Sequence, residues 1–145
     1  MKTVLFASFL VGLLLLAGCS KTLPDDIAYN ANLGEEFRLK PGEIALIEPG
    51  GISVRFLNVT QDSRCPKDVQ CIWAGQVSAL VGVEENGASL GEFELTLGPG
   101  GGELAKRGFD GYSIRVLSVE LPYDRTAGQK VDVTDYLGTF IASRG

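Results

Sequence analysis

Short runs of alternating apolar and polar residues, separated by Pro and Gly, occupy the chain from Glu35 to its last residue. The runs include EEFRLK, IALIE, QVSALVGVEE and EFELTLG. Alternation with a period of two is typical of strands that bury one face, and Pro-Gly segments favour the turns between strands. The pattern predicts about seven or eight short strands and no helix.

Two of these runs predict a β-hairpin. In QVSALVGVEE the apolar residues fall on alternate positions, and in EFELTL they do so at Phe93, Leu95 and Leu97. Asn86 and Gly87 stand between the two runs. Both residue types tolerate positive φ, which a two-residue hairpin turn requires. We therefore expect two adjacent antiparallel strands, each with one face in the core and one in water.

An internal similarity links two further segments. GISVRFLNV (Gly51–Val59) and GYSIRVLSV (Gly111–Val119) agree at five of nine positions at an offset of 60 residues. In both, the alternation changes phase where two apolar residues are adjacent, which predicts a β-bulge or a strand buried on both faces. Convergent strand chemistry and an internal duplication both explain the similarity. In either case we expect equivalent, central strands of an all-β, antiparallel β-sandwich, with a small β-barrel as the alternative.

The first residues have the layout of an export signal. Lys2 precedes an apolar run from Val4 to Leu16, which is shorter than the about 20 residues of a membrane span. The segment Leu16-Ala17-Gly18-Cys19 resembles the lipobox of bacterial lipoproteins. The resemblance implies a signal peptide at 1–18, a lipidated Cys19 (palmitate among its acyl chains) and a cell-envelope location. Ser20 implies the outer membrane, facing the periplasm, if the source is Gram-negative. An ordinary secretory signal is the alternative.

Charge and composition limit the possible partners. Loss of residues 1–18 would remove one basic residue and no acidic one, which changes the net charge from −5 to −6. Such an acidic chain gains nothing from the release of phosphate counterions, which argues against nucleic acid. Residues 19–34 are polar and turn-prone and are assigned to the lipidated N-terminus and a tether. Residues 35–145 suit a single β-sandwich domain.

The chain has no histidine, so a Ser-His-Asp triad, a Cys-His dyad and the usual zinc sites are excluded. With Cys19 lipidated and the chain exported to an oxidising compartment, Cys65 and Cys71 are expected to form a disulfide. A loop of about seven residues gives roughly 2.4 kcal/mol by the chain-entropy formula. A redox-active pair is the alternative, although five residues separate the cysteines rather than two.

Trp73 lies two residues after the second cysteine. A tryptophan beside a disulfide in a β protein is interpreted as a structural anchor that packs on the core, with a ligand platform as the alternative. The small residues Ala74 and Gly75 favour a close backbone approach. The stretch DSRCP, a short gap, then C, W and AG resembles a motif of small, uncharacterised, mostly bacterial secreted proteins and lipoproteins that are β-rich. The resemblance supports the disulfide and the fold and implies no activity.

Two groups of residues are candidate binding loops. Asp62, Arg64 and Asp68 cluster around the cysteines. For Asp62 and Arg64 the competing interpretation is an internal pair, with Asp62 accepting loop amides. Calcium needs six to eight oxygens, so two carboxylates with two interfering cations argue against a calcium site, and we assign no metal. The second group is Lys106, Arg107 and Phe109, a basic-aromatic patch at the end of LGPGGGELAKRGFDGY. That segment lacks the signature of a phosphate loop, so we expect no nucleotide, and the competing interpretation is a long mobile loop.

These observations favour a lipid-anchored, non-enzymatic binding or structural module without a cofactor. Its expected partners are the membrane, through Cys19, and an envelope protein or glycan. The alternative is a hydrolase that acts on envelope glycans through carboxylates, because acidic residues are abundant although nothing selects a pair. A weaker alternative is a protease inhibitor, since chagasin-like inhibitors also insert a Gly-rich loop from a β-sandwich, but their other loop motifs are missing here.

Overall fold

Two stacked β-sheets form the protein, as seen in a computed structural model that describes residues 28–100 and 102–145. The elements are β1 (Ala28–Asn32), β2 (Glu36–Leu39), β3 (Ile44–Glu48), β4 (Ile52–Asp62), β5 (Val77–Glu85), β6 (Ala88–Leu97), β7 (Lys106–Phe109), β8 (Tyr112–Glu120), a 3₁₀ turn (Val133–Asp135) and β9 (Leu137–Arg144). One sheet has five strands in the order β1-β3-β4-β5-β6, and the other has four in the order β2-β9-β8-β7. The sandwich expected from the sequence is confirmed, and the sheets do not close into a barrel.

The domain begins earlier in the chain than the sequence analysis expected. Residues 28–34 were assigned to the tether, but Ala28–Asn32 forms β1, which pairs in parallel with β3. The short strand has few apolar residues and therefore no alternation that marks it in the sequence. The predicted signal peptide and Cys19 lie outside the described residues. Within the described part of the chain, no helix has the length and apolar character needed to cross a membrane.

The two similar segments form corresponding strands. Gly51–Val59 supplies most of β4 and Gly111–Val119 most of β8, and each strand has a neighbour on both sides. Each strand also has a bulge at its leucine. Leu57 of β4 has no paired residue on β5, and Leu117 of β8 has none on β9. Leu117 is exposed, so the phase change reflects a bulge rather than burial on both faces.

The predicted hairpin is present between β5 and β6. Asn86 and Gly87 have φ of 50° and 81° and join strands paired from Glu85 and Ala88 onward. The alternate apolar residues of β5 are all buried: Val77, Ala79, Val81 and Val83. Rings from both sheets meet in the core, where Phe56 of β4 packs edge-on against Phe140 of β9 with centroids 5.3 Å apart.

The strand directions give the sandwich two distinct ends. β4 ends at Asp62 and β5 begins at Val77, so the intervening residues 63–76, called the disulfide loop below, project from one end. This disulfide end also carries the connection between β8 and β9, residues 121–136, called the β8–β9 loop. The hairpin turn at Asn86 lies at the opposite end. The candidate site is formed where the two loops meet.

Candidate functional site

The disulfide loop is closed at its base by covalent and backbone contacts. Cys65 and Cys71 form the predicted disulfide, with Cα atoms 5.8 Å apart. The Ser63 amide donates to the Gln76 carbonyl at 2.8 Å, and the Gln76 amide donates to Ser63 Oγ at 3.0 Å. At Gly75, with φ of 68°, a Cβ atom would lie 2.0 Å from the Ser63 carbonyl oxygen. Only glycine fits where the two ends of the loop touch, in line with the expected close approach.

Asp62 is the centre of a charged network beneath this loop. Its side chain is 5% exposed. Oδ1 accepts hydrogen bonds from the Arg64 backbone amide at 3.1 Å and from Arg64 Nε at 2.9 Å, and Oδ2 accepts from Arg64 Nη2 at 2.8 Å. The Arg64 guanidinium thus binds both oxygens of the Asp62 carboxylate in a bidentate geometry, which suits its planar shape. The internal pair considered for these two residues is therefore present.

Arg125 and Tyr136, both from the β8–β9 loop, complete the network. Tyr136 Oη donates to Asp62 Oδ2 at 3.0 Å, and Arg125 Nη2 lies 3.7 Å from Asp62 Oδ1. Arg125 also donates to the backbone carbonyls of Asp62 and Arg64. Arg64 reaches further, to the Val119 carbonyl on β8. The network thus joins the end of β4 to the opposite sheet.

The network changes the pKa values of its members. Burial alone would raise the pKa of Asp62, but the hydrogen bonds and charge of Arg64, with the Tyr136 hydroxyl, outweigh it and lower this pKa. The hydrogen bond to Asp62 raises the pKa of Arg64. Burial, followed by the charge of Asp62, raises the pKa of Tyr136 to about 12. Asp62 is therefore ionised at neutral pH, which suits a structural charge rather than a general acid.

Further contacts fix the outer part of the disulfide loop. The Lys67 amide donates to the Arg125 carbonyl at 2.9 Å, and Lys67 Nζ lies 2.5 Å from Asp124 Oδ2. Asp68 Oδ1 accepts from the Ala127 amide at 2.8 Å. The carboxylate proposed as a binding group at Asp68 thus ties the two loops together. The disulfide loop is consequently docked along the β8–β9 loop from Arg64 to Asp68.

Trp73 is not the core anchor that the sequence analysis predicted. Its side chain is 83% exposed, and the preceding Ile72 is 92% exposed. The prediction was wrong because the tight closure at Gly75 turns the chain away from the sandwich before β5 begins. Val69 is also exposed, at 43%. The loop therefore presents apolar side chains to solvent, while its charged side chains at Arg64, Lys67 and Asp68 bond to other parts of the protein.

The second predicted group lies elsewhere in the structure. Lys106, Arg107 and Phe109 belong to strand β7, which pairs with the first half of β8, so this part of the Gly-rich segment is ordered rather than a mobile loop. Phe109 is half-buried and stacks on Phe93 with centroids 6.1 Å apart, and Arg107 covers the same Phe93 ring. The structure does not join this group to Asp62 and Arg64, because Arg64 donates to the Val119 carbonyl near the other end of β8.

Two clefts border Arg64. One, of about 240 Å³, lies between the two loops, and both of its carboxylates, Asp62 and Asp124, are in ion pairs. The other, of about 450 Å³, is open and mostly apolar. Its lining includes Gly75, Val77, Leu97, Leu117 and Val119. Among the described residues no three Cys, Asp or Glu side chains converge in a group that could hold a metal ion.

Sequence reasoning missed Arg125, Tyr136 and Asp124. They lie in LPYDRTAGQKVDVTDY, which has turn residues but no repeat or spacing that selects any side chain. Tyr136 is 74 positions from Asp62 along the chain, so only the fold brings the two together. Comparison of the chain with protein-family models, with curated proteins and with solved structures finds no match.

Proposed function

We propose that this chain is a non-enzymatic, lipid-anchored module of the bacterial cell envelope that acts by binding, with the disulfide loop as its contact element. One observation supports this proposal above the others. The loop is held by a disulfide, an ion-pair network and backbone bonds, yet Ile72 and Trp73 face solvent. A contact surface that is already ordered loses little conformational entropy on binding.

The chemistry of the exposed residues also fits a contact role. Tryptophan is enriched at the centres of binding surfaces because its large ring combines apolar area with one N–H donor. Adjacent exposed apolar side chains on a soluble domain are typical of interaction sites. The charged residues of the same loop bond to β4 and to the β8–β9 loop, through Asp62, Asp124 and the Ala127 amide. Recognition through Ile72 and Trp73 would therefore be mainly apolar.

A photo-crosslinking amino acid placed at position 73 of the full chain, in living cells, tests the proposal. We expect adducts with an envelope component, whether protein, glycan or lipid. The matched control carries the same crosslinker in place of Leu46, a 41%-exposed apolar residue on β3. Equal yields at both positions, or no adduct at position 73, would contradict the proposal.

The anchor is tested separately by growth in labelled palmitate. We expect the label on the wild-type chain and none on the Cys19→Ser variant. An unlabelled wild type would show that Cys19 is not lipidated. The binding role of the disulfide loop would then depend on the crosslinking result only.

Hydrolysis of envelope glycans is the competing proposal, since Asp62 and Asp124 line one cleft. Their ion pairs weigh against it, because a glycosidase needs one protonated carboxyl group. The full chain should therefore leave peptidoglycan and chromogenic glycosides intact. Turnover that is lost in both Asp62→Asn and Asp124→Asn would establish an enzyme in place of the binding module.

A further inference from the structure

Ile72 and Trp73 form a small apolar tip at the disulfide end of the sandwich. They follow Cys71 directly and are among the most exposed large apolar residues of the described chain, at 92% and 83%. Trp73 is also the chain's one tryptophan. An indole ring with an aliphatic neighbour suits the boundary between water and lipid, where the ring lies in the apolar layer and the N–H stays hydrated.

The direction of β1 relates this tip to the proposed lipid anchor. β1 runs parallel to β3, and β3 runs antiparallel to β4. β1 and β4 therefore run in opposite directions, and the first residue of β1 faces the end of the sheet where β4 stops. β4 ends at Asp62, where the disulfide loop begins. Cys19 precedes Ala28 by nine residues, and nine residues span at most about 30 Å. Ala28 lies level with Arg55, about 20 Å along β4 from Asp62. The reach of the nine residues exceeds this distance, so a lipid on Cys19 and the disulfide end can lie in the same membrane surface.

We propose that Ile72 and Trp73 insert into the interfacial layer of the membrane that carries the lipid anchor. This inference rests on the proposed function and names the partner of its contact element as the lipid bilayer. Insertion would give the domain a second attachment point, so that the disulfide end faces the membrane and the Asn86 hairpin faces away from it.

Charge has little part in this docking. The basic groups of the disulfide loop are paired, Arg64 with Asp62 and Lys67 with Asp124, and the chain is acidic as a whole. Anionic lipids would repel rather than attract such a domain. The contact should therefore form on zwitterionic membranes and should persist when salt is raised, because burial of apolar surface is not screened.

The test uses the fluorescence of Trp73 in the full chain. The protein is purified with its lipid, its mass is measured, and it is reconstituted into phosphatidylcholine vesicles with acyl chains brominated close to the headgroup. The control is the double variant Trp73→Phe, Leu46→Trp, in which the fluorescent tryptophan lies on β3 instead of in the disulfide loop. Leu46 pairs with Ser53, so it lies about 25 Å along β4 from Asp62.

We expect strong quenching of the wild-type emission by bromine at low and high salt, and at least a several-fold weaker effect in the double variant. Quenching that is absent in the wild type, or equal in the two proteins, would overturn the inference and direct attention to a protein or glycan partner. A chain that does not float with the vesicles would instead show that the proposed anchor has failed.

Discussion

The polar and the apolar residues of the stretch DSRCPKDVQCIWAG have separate roles in the folded protein. Asp62, Arg64 and Asp68 were candidates for recognition, yet their polar groups bond to the protein itself. Trp73 was expected in the core and is exposed. The Asp62–Arg64 pair can be predicted from the sequence, because the two residues are close neighbours along the chain. Exposure of Trp73 could not be predicted, because it depends on the direction that the chain takes at the closure of the loop at Gly75.

Replacement of Asp62 tests the network. Asp62→Asn leaves two guanidinium groups without their counter-charge, and removal of one partner from a buried ion pair costs roughly 3 kcal/mol. We expect a decrease of this size in the free energy of unfolding, measured with urea at neutral pH. Glu92→Gln, at an exposed carboxylate on β6, is the matched control and should change stability by less than about 0.5 kcal/mol. Equal effects would show that the network adds no stability.

The same carboxylate predicts a dependence on pH. The folded pKa of Asp62 lies below the unfolded value of about 3.9. Its stabilising contribution is therefore complete well above pH 4 and is lost as the pH falls through the folded value. We expect the stability difference between wild type and Asp62→Asn to shrink below about pH 4. A difference that stays constant down to pH 2 would argue against the lowered pKa.

At the scale of elements, the strands were predictable where alternation reports burial. The β5–β6 hairpin and the bulged strands β4 and β8 follow from periodicity and from turn residues. Strand β1 was missed because an edge strand of five residues with little apolar character has no such signal. Strand β7 was missed because its sequence, KRGF, continues a Gly-rich segment and has no alternation of its own. The strand is recognised only from its pairing with β8.

The closure of the disulfide loop can be tested at one glycine. Gly75→Ala and Gly87→Ala both place a side chain at positive φ, which costs about 1 kcal/mol in each case. Only at Gly75 does the new Cβ meet backbone, at Ser63, whereas Gly87 has open space. We expect Gly75→Ala to be clearly the more destabilising in urea unfolding. Similar losses would mean that the loop opens without cost and is not held as described.

For the molecule as a whole, the fold and the cellular location rest on different evidence. The all-β sandwich follows from alternation and is confirmed by the structure, whereas the envelope location remains a proposal that depends on the lipobox resemblance. The docking of the disulfide loop on the β8–β9 loop joins distant parts of the chain, and no local pattern predicts it. The resulting arrangement, with a braced loop and an apolar tip, is the basis of the binding proposal.

If the disulfide loop is the contact element, Trp73 lies open in the isolated domain and is covered in the envelope. The most direct measurement is acrylamide quenching of tryptophan fluorescence after reconstitution of the full chain into vesicles made from whole envelope extract. We expect Trp73 of the wild type to be shielded several-fold relative to the tryptophan at position 46 of the Trp73→Phe, Leu46→Trp variant. Equal quenching of the two proteins would contradict it.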